Sequence, residues 1–381
     1  MPRTILDFHI IQSVPPSNIN RDDSGSPKTA MYGGRRRARV SSQAWKRATR
    51  LAFADLLETS QLGKRTKQVV EVLAGEITRQ DPQLAQRSAE LATDVLTAIE
   101  IKTKAPRKPK DGALPESEFL LFLSHRQIEN LAELAVTAAA EAGDGKVSID
   151  RKEARARADQ EHSVDIALFG RMVASATDLN VEAAVQVAHA LSVHAVANEY
   201  DYFTAVDDNK HADETEDAGA GMIGTVEFNS STLYRYATLD IDALGENLGD
   251  QAATVRAVEA FTRAFITSMP TGKQNTFANR TLPDAVLLIL RDRQPINLVG
   301  AFEVAVEDNA EHGRVHAAIG KLAEHARDLH AAFDETPVAA WTFGVGEKRL
   351  APLAELATHT TFEPALRAVA ETVTARLAAK Q

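Results

Sequence analysis

The chain has 381 residues, a formal net charge of −10 and no cysteine, and 44% of its residues are hydrophobic. The lack of cysteine excludes disulfides, cysteine-ligated zinc, iron–sulfur clusters and thiol nucleophiles. The hydrophobic content predicts a soluble globular protein of about two or three domains. No apolar run approaches the roughly 18 residues of a membrane span, so we predict a cytoplasmic protein without a membrane partner.

The acidic total conceals a basic segment. Residues 21–50 contain nine Lys or Arg and two Asp, a net charge of +7, which leaves −17 for the rest of the chain. Lys and Arg bind phosphate backbones by displacing counterions, whereas an acidic surface deters indiscriminate binding. The charge distribution therefore predicts a local anion site.

The chain begins with a predicted strand, loop, strand and helix. Residues 4–12 mix β-branched and aromatic residues and end near two prolines, which is typical of a strand. A loop rich in Asn, Asp, Ser and Gly runs from Asn18 to Gly34, and the Arg-rich strand RRRARV follows. Ser41 and Ser42 are typical of a helix N-terminus.

The helix that follows Ser41 has two different faces. Its polar and basic positions recur at i, i+3, i+4 and i+7 and therefore form one stripe, which consists of Gln43, Lys46, Arg47 and Arg50. The opposite face is predicted to carry Ala44, Ala48, Leu51 and Ala52.

The remaining segments predict a sheet that helices interrupt. Residues 66–196 are rich in Ala, Leu and Glu and indicate a helical insertion, and residues 199–224 indicate a long protruding loop. A strand is predicted from Thr225. It is followed by a helix over 242–269, a strand over 284–290, a helix over 309–333, a strand over 338–343 and a helix over 361–379. This order favours an α+β fold of the βαββαβ type.

Three short motifs resemble nucleotide or metal sites, and each lacks an essential part. GAGMIG at 219–224 follows acidic residues and precedes a strand, which is the wrong order for a dinucleotide site and favours a flexible loop. TGKQ at 271–274 lacks the Ser or Thr of a phosphate loop, so ATP hydrolysis is not expected, although Lys273 remains a candidate phosphate contact. His312 and His316 have helical spacing but no third ligand.

The segment from Asn18 to Arg50 carries the strongest functional signal. It combines a polar loop, a short strand, a helix N-terminus and a basic helix face, all of which can direct donors at phosphates. A plain solvated basic surface is the alternative. Within the loop, Asp22 and Asp23 could position a metal for phosphodiester cleavage or could bridge to the nearby arginines.

Short sequence motifs in this segment and elsewhere in the chain resemble those of one family. They occur in order along most of the chain: NINRDD at 18–23, Lys28, YGG at 32–34, RVSSQAWKRA at 39–48, Arg50, VDIALFGRM at 164–172, DYFTAVDD at 201–208, GTVEF at 224–228, LYRYA at 233–237, GKQ at 272–274 and Thr276. Together they resemble the backbone subunit of the type I-E CRISPR Cascade complex, the CasC family.

The resemblance implies a hand-shaped α+β subunit. Its palm has a modified RNA-recognition-motif, or ferredoxin-like, fold, into which large helical fingers are inserted and from which a thumb loop protrudes. The implied boundaries are 1–60, 183–200 and 229–381 for the palm, 61–182 for the fingers and 201–228 for the thumb. This arrangement agrees with the order of elements predicted above.

The resemblance also implies a function without catalysis or cofactor. In this family several copies line one CRISPR RNA, grip its ribose-phosphate backbone and displace a base at regular intervals, and the other bases stay open to target DNA. Sequence is then read by base pairing, while the protein reads the backbone. The implied role is antiviral defence, and the implied partners are CRISPR RNA, target DNA through the guide, other copies in an expected hexamer, and other Cascade subunits.

Carried over by position, the resemblance assigns RNA contacts to a specific set of residues. Phosphate contacts fall on Lys28, Ser41, Gln43, Lys46 and Arg50. Further contacts fall on Asn20, Arg21, Ser42, Arg47, Arg171, Thr204, Lys273 and Gln274. Met172 is expected to wedge against the displaced base, since a flexible apolar side chain tolerates any base, and the kink is expected to be held by Phe203 and Ile223. No motif decides which RNA-facing positives the fingers supply among Lys146, Arg151, Arg155 and Arg157.

Two other functions remain open at this stage. Related backbone subunits of type III CRISPR effectors cut RNA with a loop aspartate, so Asp22 or Asp23 allows a metal-dependent ribonuclease. An unrelated cytosolic enzyme is the third interpretation, which no motif supports.

Overall fold

The structure is a computed structural model that describes residues 2–108, 111–143, 145–205, 222–307 and 312–380. It consists of two compact units. The palm unit comprises Met1–Ala52, Val187–Thr238 and Phe261–Gln381, and the fingers unit comprises Phe53–Gln186 and Leu239–Ala260. Among the described residues, no helix has both the length and the apolar character needed to cross a membrane.

The described strands and helices are numbered in chain order. The strands are β1 (Ile5–Ser17), β2 (Thr29–Tyr32), β3 (Arg35–Val40), β4 (Gly63–Thr66), β5 (Thr103–Lys104), β6 (Glu116–Ser117), β7 (Leu121–Ser124), β8 (Val185–Val187), β9 (Ala190–Ser192), β10 (Glu199–Ala205), β11 (Met222–Asp240), β12 (Ala285–Arg291), β13 (Ala339–Gly344) and β14 (Thr358–His359). The helices are α1 (Ser42–Ala52), α2 (Val69–Gln80), α3 (Ser88–Ala98), α4 (His125–Ala142), α5 (Arg151–Ala158), α6 (Val164–Phe169), α7 (Ile241–Leu248), α8 (Gln251–Thr267), α9 (Gln274–Phe277), α10 (Gly313–Ala332), α11 (Glu347–Ala354) and α12 (Phe362–Ala378).

The main sheet has the predicted ferredoxin-like topology. Its strands run in the order β14-β13-β12-β1-β11-β9-β3-β2, and β10 also pairs with β11. The four central strands, β12-β1-β11-β9, come fourth, first, third and second along the chain. Helix α1 lies between the first and second of them, and α8 lies between the third and fourth. This is a βαββαβ arrangement with additional strands, and the predicted α+β fold class is confirmed.

The palm core covers both faces of the central strands. On one face, Phe8 of β1 packs edge-on against Phe261 and Phe265 of α8, with ring centroids 5.3 and 5.7 Å apart. On the other face, Ile11 joins a cluster with the inward residues of β12 and α10, which include Leu287, Ile289, Ile319 and Leu322. Every residue of β12 is buried, as expected for an apolar strand covered on both sides.

A buried ion pair crosses the palm sheet. Asp7 of β1 accepts hydrogen bonds from Arg291 Nε at 2.8 Å, from the backbone of Ile296 at 3.0 Å and from the Tyr236 hydroxyl at 3.0 Å. Asp7 and Arg291 are 0% and 1% exposed. Burial raises the pKa of the Asp7 carboxyl, although Arg291 and the hydrogen bonds oppose that rise. The buried carboxylate therefore depends on these three hydrogen-bond donors.

The fingers unit is mainly helical, as predicted for the insertion, and has its own core. Helices α2 to α5 contribute apolar side chains that include Leu73, Leu91, Leu131 and Ala154. Helix α7 belongs to this unit, whereas the sequence placed residues 239–260 in the palm. The Asn247 side chain explains the difference, because its amide donates to the carbonyls of Ala167 at 3.0 Å and Glu182 at 2.9 Å.

Two local predictions were wrong. The helix expected over 242–269 is divided into α7 and α8, because Gly249 adopts a left-handed φ of 66° and ends the first helix. The inner face of α1 was expected to carry Ala44, Ala48, Leu51 and Ala52. Its fully buried side chains are Trp45 and Thr49, and Leu51 is 51% exposed.

Removing the Asp7 carboxylate is expected to destabilise the protein strongly. Asp7→Ala leaves the buried Arg291 guanidinium without its counterion, which costs about 3–5 kcal/mol. Urea denaturation measures this change. The control is Glu363→Ala, which removes the exposed carboxylate 2.6 Å from Arg263 and is expected to cost much less, because an exposed ion pair contributes little to stability. An equal loss of unfolding free energy in the two variants would contradict the conclusion that the buried Asp7–Arg291 pair stabilises the protein more than an exposed ion pair does.

Candidate nucleic-acid interface

The loop between β1 and β2 is held by its own aspartate. Asp22 Oδ1 accepts hydrogen bonds from the Ser24 hydroxyl at 2.7 Å and from the backbone of Ser24 and Ser26 at 3.0 Å each. The Ser24 hydrogen bond is the largest cause of a lowered pKa for this carboxyl. Asp22 therefore shapes the loop, while Arg21 and Asp23 are exposed at its surface.

Asn20 connects this loop to the start of α1. Its Oδ1 accepts from the Ser41 backbone N–H at 2.8 Å, and its carbonyl accepts from the Lys28 backbone at 2.9 Å. Its Nδ2 group makes no hydrogen bond within the part of the chain that the structure describes. The predicted contacts Asn20, Lys28 and Ser41 are thus brought together, with an amide donor available beside them.

The N-terminus of α1 is capped from two directions. The Ser41 hydroxyl accepts from the Ala44 backbone at 3.3 Å, and His189 Nδ1 accepts from the Ser42 backbone at 3.3 Å. Burial lowers the pKa of His189, and the positive charges of Arg39 and Lys28 lower it further. The imidazole is therefore a neutral cap in an electropositive setting.

The outer face of α1 carries the predicted stripe. Gln43 and Arg47 are exposed, and Lys46 and Arg50 are half-buried. Burial lowers the pKa of the Lys46 ammonium. Within the described ranges, this ammonium has no hydrogen bond or ion pair that offsets its desolvation. A half-buried cation without an internal anion is suited to an external one, such as a phosphate.

A cleft opens beside these groups. It lies between the β1–β2 loop, β3 and β11. The described residues that line it include no carboxylate and are Val14, Ser17, Ile19, Asn20, Pro27, Lys28, Ala38, Arg39, Val40, Asn229 and Ser231. Within the part of the chain that the structure describes, Arg39 makes its hydrogen bonds to neutral groups, the Thr29 carbonyl at 3.3 Å and His189 Nδ1 at 3.4 Å. The cleft therefore presents two cations and several amide and hydroxyl groups, a composition that suits a phosphate or ribose.

The turn at 271–274 packs against the same loop. A Cβ on Gly272 would lie 2.3 Å from the Ile19 carbonyl oxygen, so only glycine permits this approach. Lys273 adopts a left-handed φ of 52°, and Gln274 begins α9. The structure thus places both predicted contacts, Lys273 and Gln274, next to the β1–β2 loop.

The hairpin of β10 and β11 contains the thumb residues. Phe203 lies opposite Gly224 and Thr204 lies opposite Ile223. The Phe203 ring covers Gly224 so closely that a Cβ there would lie 2.4 Å from its Cζ. The last glycine of the 219–224 motif thus accommodates an aromatic ring, and the earlier part of that motif and the inner thumb over 209–221 lie outside the described residues.

The fingers unit contains the remaining candidates. The structure corrects the assignment of Arg171, which is 4% exposed and donates to the Leu179 and Ala158 carbonyls, to Gln127 and to Asp159. Its neighbour Met172 is 82% exposed, as a wedge requires.

The basic candidates of the fingers fall into two groups. Arg155 pairs with Glu100 at 2.8 Å and Asp178 at 3.3 Å, and Arg157 pairs with Glu133 at 3.2 Å and Glu153 at 2.7 Å. Lys146 and Arg151 are exposed.

Sequence reasoning missed the roles of two arginines and a histidine. Arg37 is 0% exposed and donates to the carbonyls of Tyr32, Ser192, Phe302 and Glu303. It therefore contributes structure rather than surface charge. Arg39 and His189 are further candidates for the interface, which the sequence did not single out. The position of Arg39 within RRRARV was a usable signal, whereas His189 is distant in sequence and gave none.

His312 and His316, the histidine pair with helical spacing, are neighbours in the structure. The rings of His312 and His316 lie 5.1 Å apart. Among the residues that the structure describes, no group of three or more His, Cys, Asp or Glu side chains could hold a metal ion.

Comparisons with known proteins agree with this architecture. The sequence profile of the CT1975-like protein family matches residues 6–370, and the chain therefore belongs to this family. A chain of a structure titled as a CRISPR RNA-guided surveillance complex, pre-nicking, is 34% identical with a TM-score of 0.83, over 97% of this chain and 100% of that chain. A second, from a CRISPR RNA-guided surveillance complex, is 30% identical with a TM-score of 0.70, over 98% and 99%.

A search of curated proteins gave no significant match. The structural matches confirm the predicted resemblance at the level of the complex, because the chain has the fold of subunits found in CRISPR RNA-guided surveillance complexes.

Adding a methyl group at Gly224 is expected to displace the Phe203 ring. Gly224→Ala should cost about 1–3 kcal/mol through overpacking, measured by urea denaturation. The same substitution in a Phe203→Ala background should cost clearly less, since the clashing ring is gone and contacting residues are not additive. Equal costs in both backgrounds would show that the ring does not set the space at Gly224.

Proposed function

We propose that this protein is the non-catalytic backbone subunit of a type I-E CRISPR Cascade surveillance complex. Copies assemble along a CRISPR RNA, expected as a hexamer, together with other Cascade subunits in the cytoplasm. They hold the guide so that it pairs with target DNA in antiviral defence. The observation that carries the proposal is the cleft beside α1, whose lining has no carboxylate and in which the described residues supply no acidic partner for Lys28 or Arg39, in a chain of net charge −10.

The groups at this interface suit a phosphate backbone. Lys28 and Lys46 provide cations, Asn20 and Gln43 provide amides, and Ser41 provides a hydroxyl, and each of these side chains is able to donate a hydrogen bond. Cations and neutral donors that contact phosphate and sugar carry no sequence information directly. Such an interface binds a guide RNA of any sequence, as a backbone subunit must.

The proposal includes further residues that contact the RNA. Arg21, Ser42, Arg47 and Arg50 lie on the same loop and helix, and Lys273 and Gln274 lie on the turn packed against that loop. Phe203 holds the base of the thumb, with Thr204 and Ile223 on the paired strands. Met172 contacts the displaced base, because its exposed thioether side chain is flexible and apolar.

The ribonuclease alternative is not favoured. It requires a loop aspartate that is available to a metal ion, whereas Asp22 is used by its own loop through three hydrogen bonds to Ser24 and Ser26. Asp23 is the remaining exposed loop aspartate. Magnesium-dependent cleavage of RNA by the wild type that disappears in Asp23→Ala would restore this alternative.

The direct test is the mass of the assembled complex. The protein is mixed with single-stranded RNAs of increasing length and scrambled sequence, and mass is measured by native mass spectrometry. We expect the mass to rise in whole-protomer steps with RNA length, independent of sequence, while the RNA stays intact. Binding of a single protomer at every length would overturn the proposal.

The salt dependence of RNA binding should report the phosphate contacts. Each phosphate contact on a single strand contributes about −0.7 to the slope of log affinity against log salt, so Lys28→Ala/Lys46→Ala should reduce the slope by about 1.4. Fluorescence anisotropy with a labelled RNA measures it at several salt concentrations. The charge-matched control Lys348→Ala/Arg349→Ala, in α11, should leave the slope unchanged. An unchanged slope in the first variant would mean that these lysines do not contact phosphate.

A further inference from the structure

One carboxylate links the β1–β2 loop to the thumb hairpin. Glu227 lies on β11, opposite Tyr200 of β10. Its Oε1 accepts from the Ser26 hydroxyl at 2.9 Å, and its Oε2 accepts from Asn198 Nδ2 at 3.0 Å. Ser26 belongs to the loop, and Asn198 directly precedes β10. The two oxygens of one side chain therefore hold two separate segments.

The backbone of Glu227 reinforces the same link. Its carbonyl accepts from Asn18 Nδ2 at 2.9 Å, and the same amide nitrogen donates to the Gly25 carbonyl at 2.9 Å. Asn18 is 1% exposed. The beginning and the end of the loop are thus both attached to one position of the hairpin.

The connection continues into the cleft. Asn229 Nδ2 donates to Asn198 Oδ1 at 3.1 Å, and Asn229 lines the cleft together with Asn20 and Lys28. Three residues before Glu227 along β11, Gly224 receives the Phe203 ring. The Glu227 carboxylate therefore stands between the proposed phosphate contacts and the base of the thumb.

The chemistry of this position argues against a simple role in affinity. Glu227 has no Lys or Arg partner within the described parts of the chain, and a negative charge near a phosphate site weakens RNA binding. Glutamine would avoid that charge, but its side chain has one acceptor oxygen, whereas a carboxylate has two. The double acceptor is the property that this position uses.

We propose that Glu227 is a positioning residue that couples the β1–β2 loop to the β10–β11 hairpin, so that the phosphate grip and the displaced base keep a fixed spacing along the RNA. This inference rests on the proposed function. Glu227 does not touch RNA in this scheme; it acts through Ser26 on the loop and through Asn198 on the hairpin.

The test compares base displacement with affinity. A series of RNAs carries 2-aminopurine at successive positions, and each is bound to the protein, because the fluorescence of this base rises when it is unstacked. The wild type should give bright positions at regular intervals. Glu227→Ala should lose the contrast between bright and dim positions, while its affinity changes by less than about tenfold, the scale of one or two hydrogen bonds.

Two controls separate positioning from charge and folding. Glu199→Ala removes an exposed carboxylate from the same hairpin, for which the described residues supply no hydrogen bond or ion pair, and should keep the wild-type contrast. Glu227→Gln keeps one acceptor oxygen and should give an intermediate contrast. If Glu227→Ala does not fold, Ser26→Ala and Asn198→Ala each remove one half of the link and should each reduce the contrast.

The outcomes distinguish this inference from the proposed function. A wild-type contrast in folded Glu227→Ala, or in both half-link variants, would overturn the role of Glu227 and leave the backbone function intact. A wild type that binds RNA without any regular bright positions would overturn the base displacement itself. An equal loss in Glu199→Ala would show that charge, and not the link, is responsible.

Discussion

The candidate interface of the palm depends on a buried guanidinium that holds α1 against the sheet. Arg235 of β11 is 1% exposed, and its guanidinium carbon lies 3.8 Å from the centre of the Trp45 ring on the inner face of α1. It donates to Gln12 Oε1 at 2.5 Å and to the Phe265 carbonyl. Burial lowers its pKa to about 9, so it is still charged at neutral pH. A desolvated cation–π contact of this kind contributes about 2 kcal/mol or more.

This anchor explains why the outer face of α1 is available. With Trp45 turned inward, the stripe from Gln43 to Arg50 faces the opposite direction. Arg235 donates to an amide oxygen and a carbonyl, and Arg37 donates to carbonyl oxygens, so neither guanidinium pairs with a carboxylate of the described residues. These two buried arginines of the palm differ from Arg155 and Arg157 of the fingers, which pair with acids.

Periodic features of the sequence predicted much of this architecture. The apolar run of β12, the alternation of β11 and the i, i+3, i+4, i+7 stripe of α1 depend only on local geometry, and each lies where the sequence placed it. Residues whose environment is set by distant segments were not predictable. Arg171 is basic and follows a glycine, yet its burial depends on Gln127 and Leu179. The inward orientation of Trp45 depends on Arg235, which is 190 residues away in the sequence.

The sequence also did not predict two close approaches to the backbone, although a glycine stands at each of them. Gly272 meets the Ile19 carbonyl and Gly224 receives the Phe203 ring, and both glycines occur in motifs that resemble nucleotide-binding loops. In each case the space that glycine leaves by having no side chain is filled by another part of the protein and not by a phosphate. Gly272 attaches the 271–274 turn to the β1–β2 loop, and Glu227 attaches that loop to the thumb hairpin. Because these contacts attach the loop, the turn and the hairpin to one another, the RNA contacts proposed for them keep fixed distances within one protomer. The proposed regular spacing along RNA requires such fixed distances.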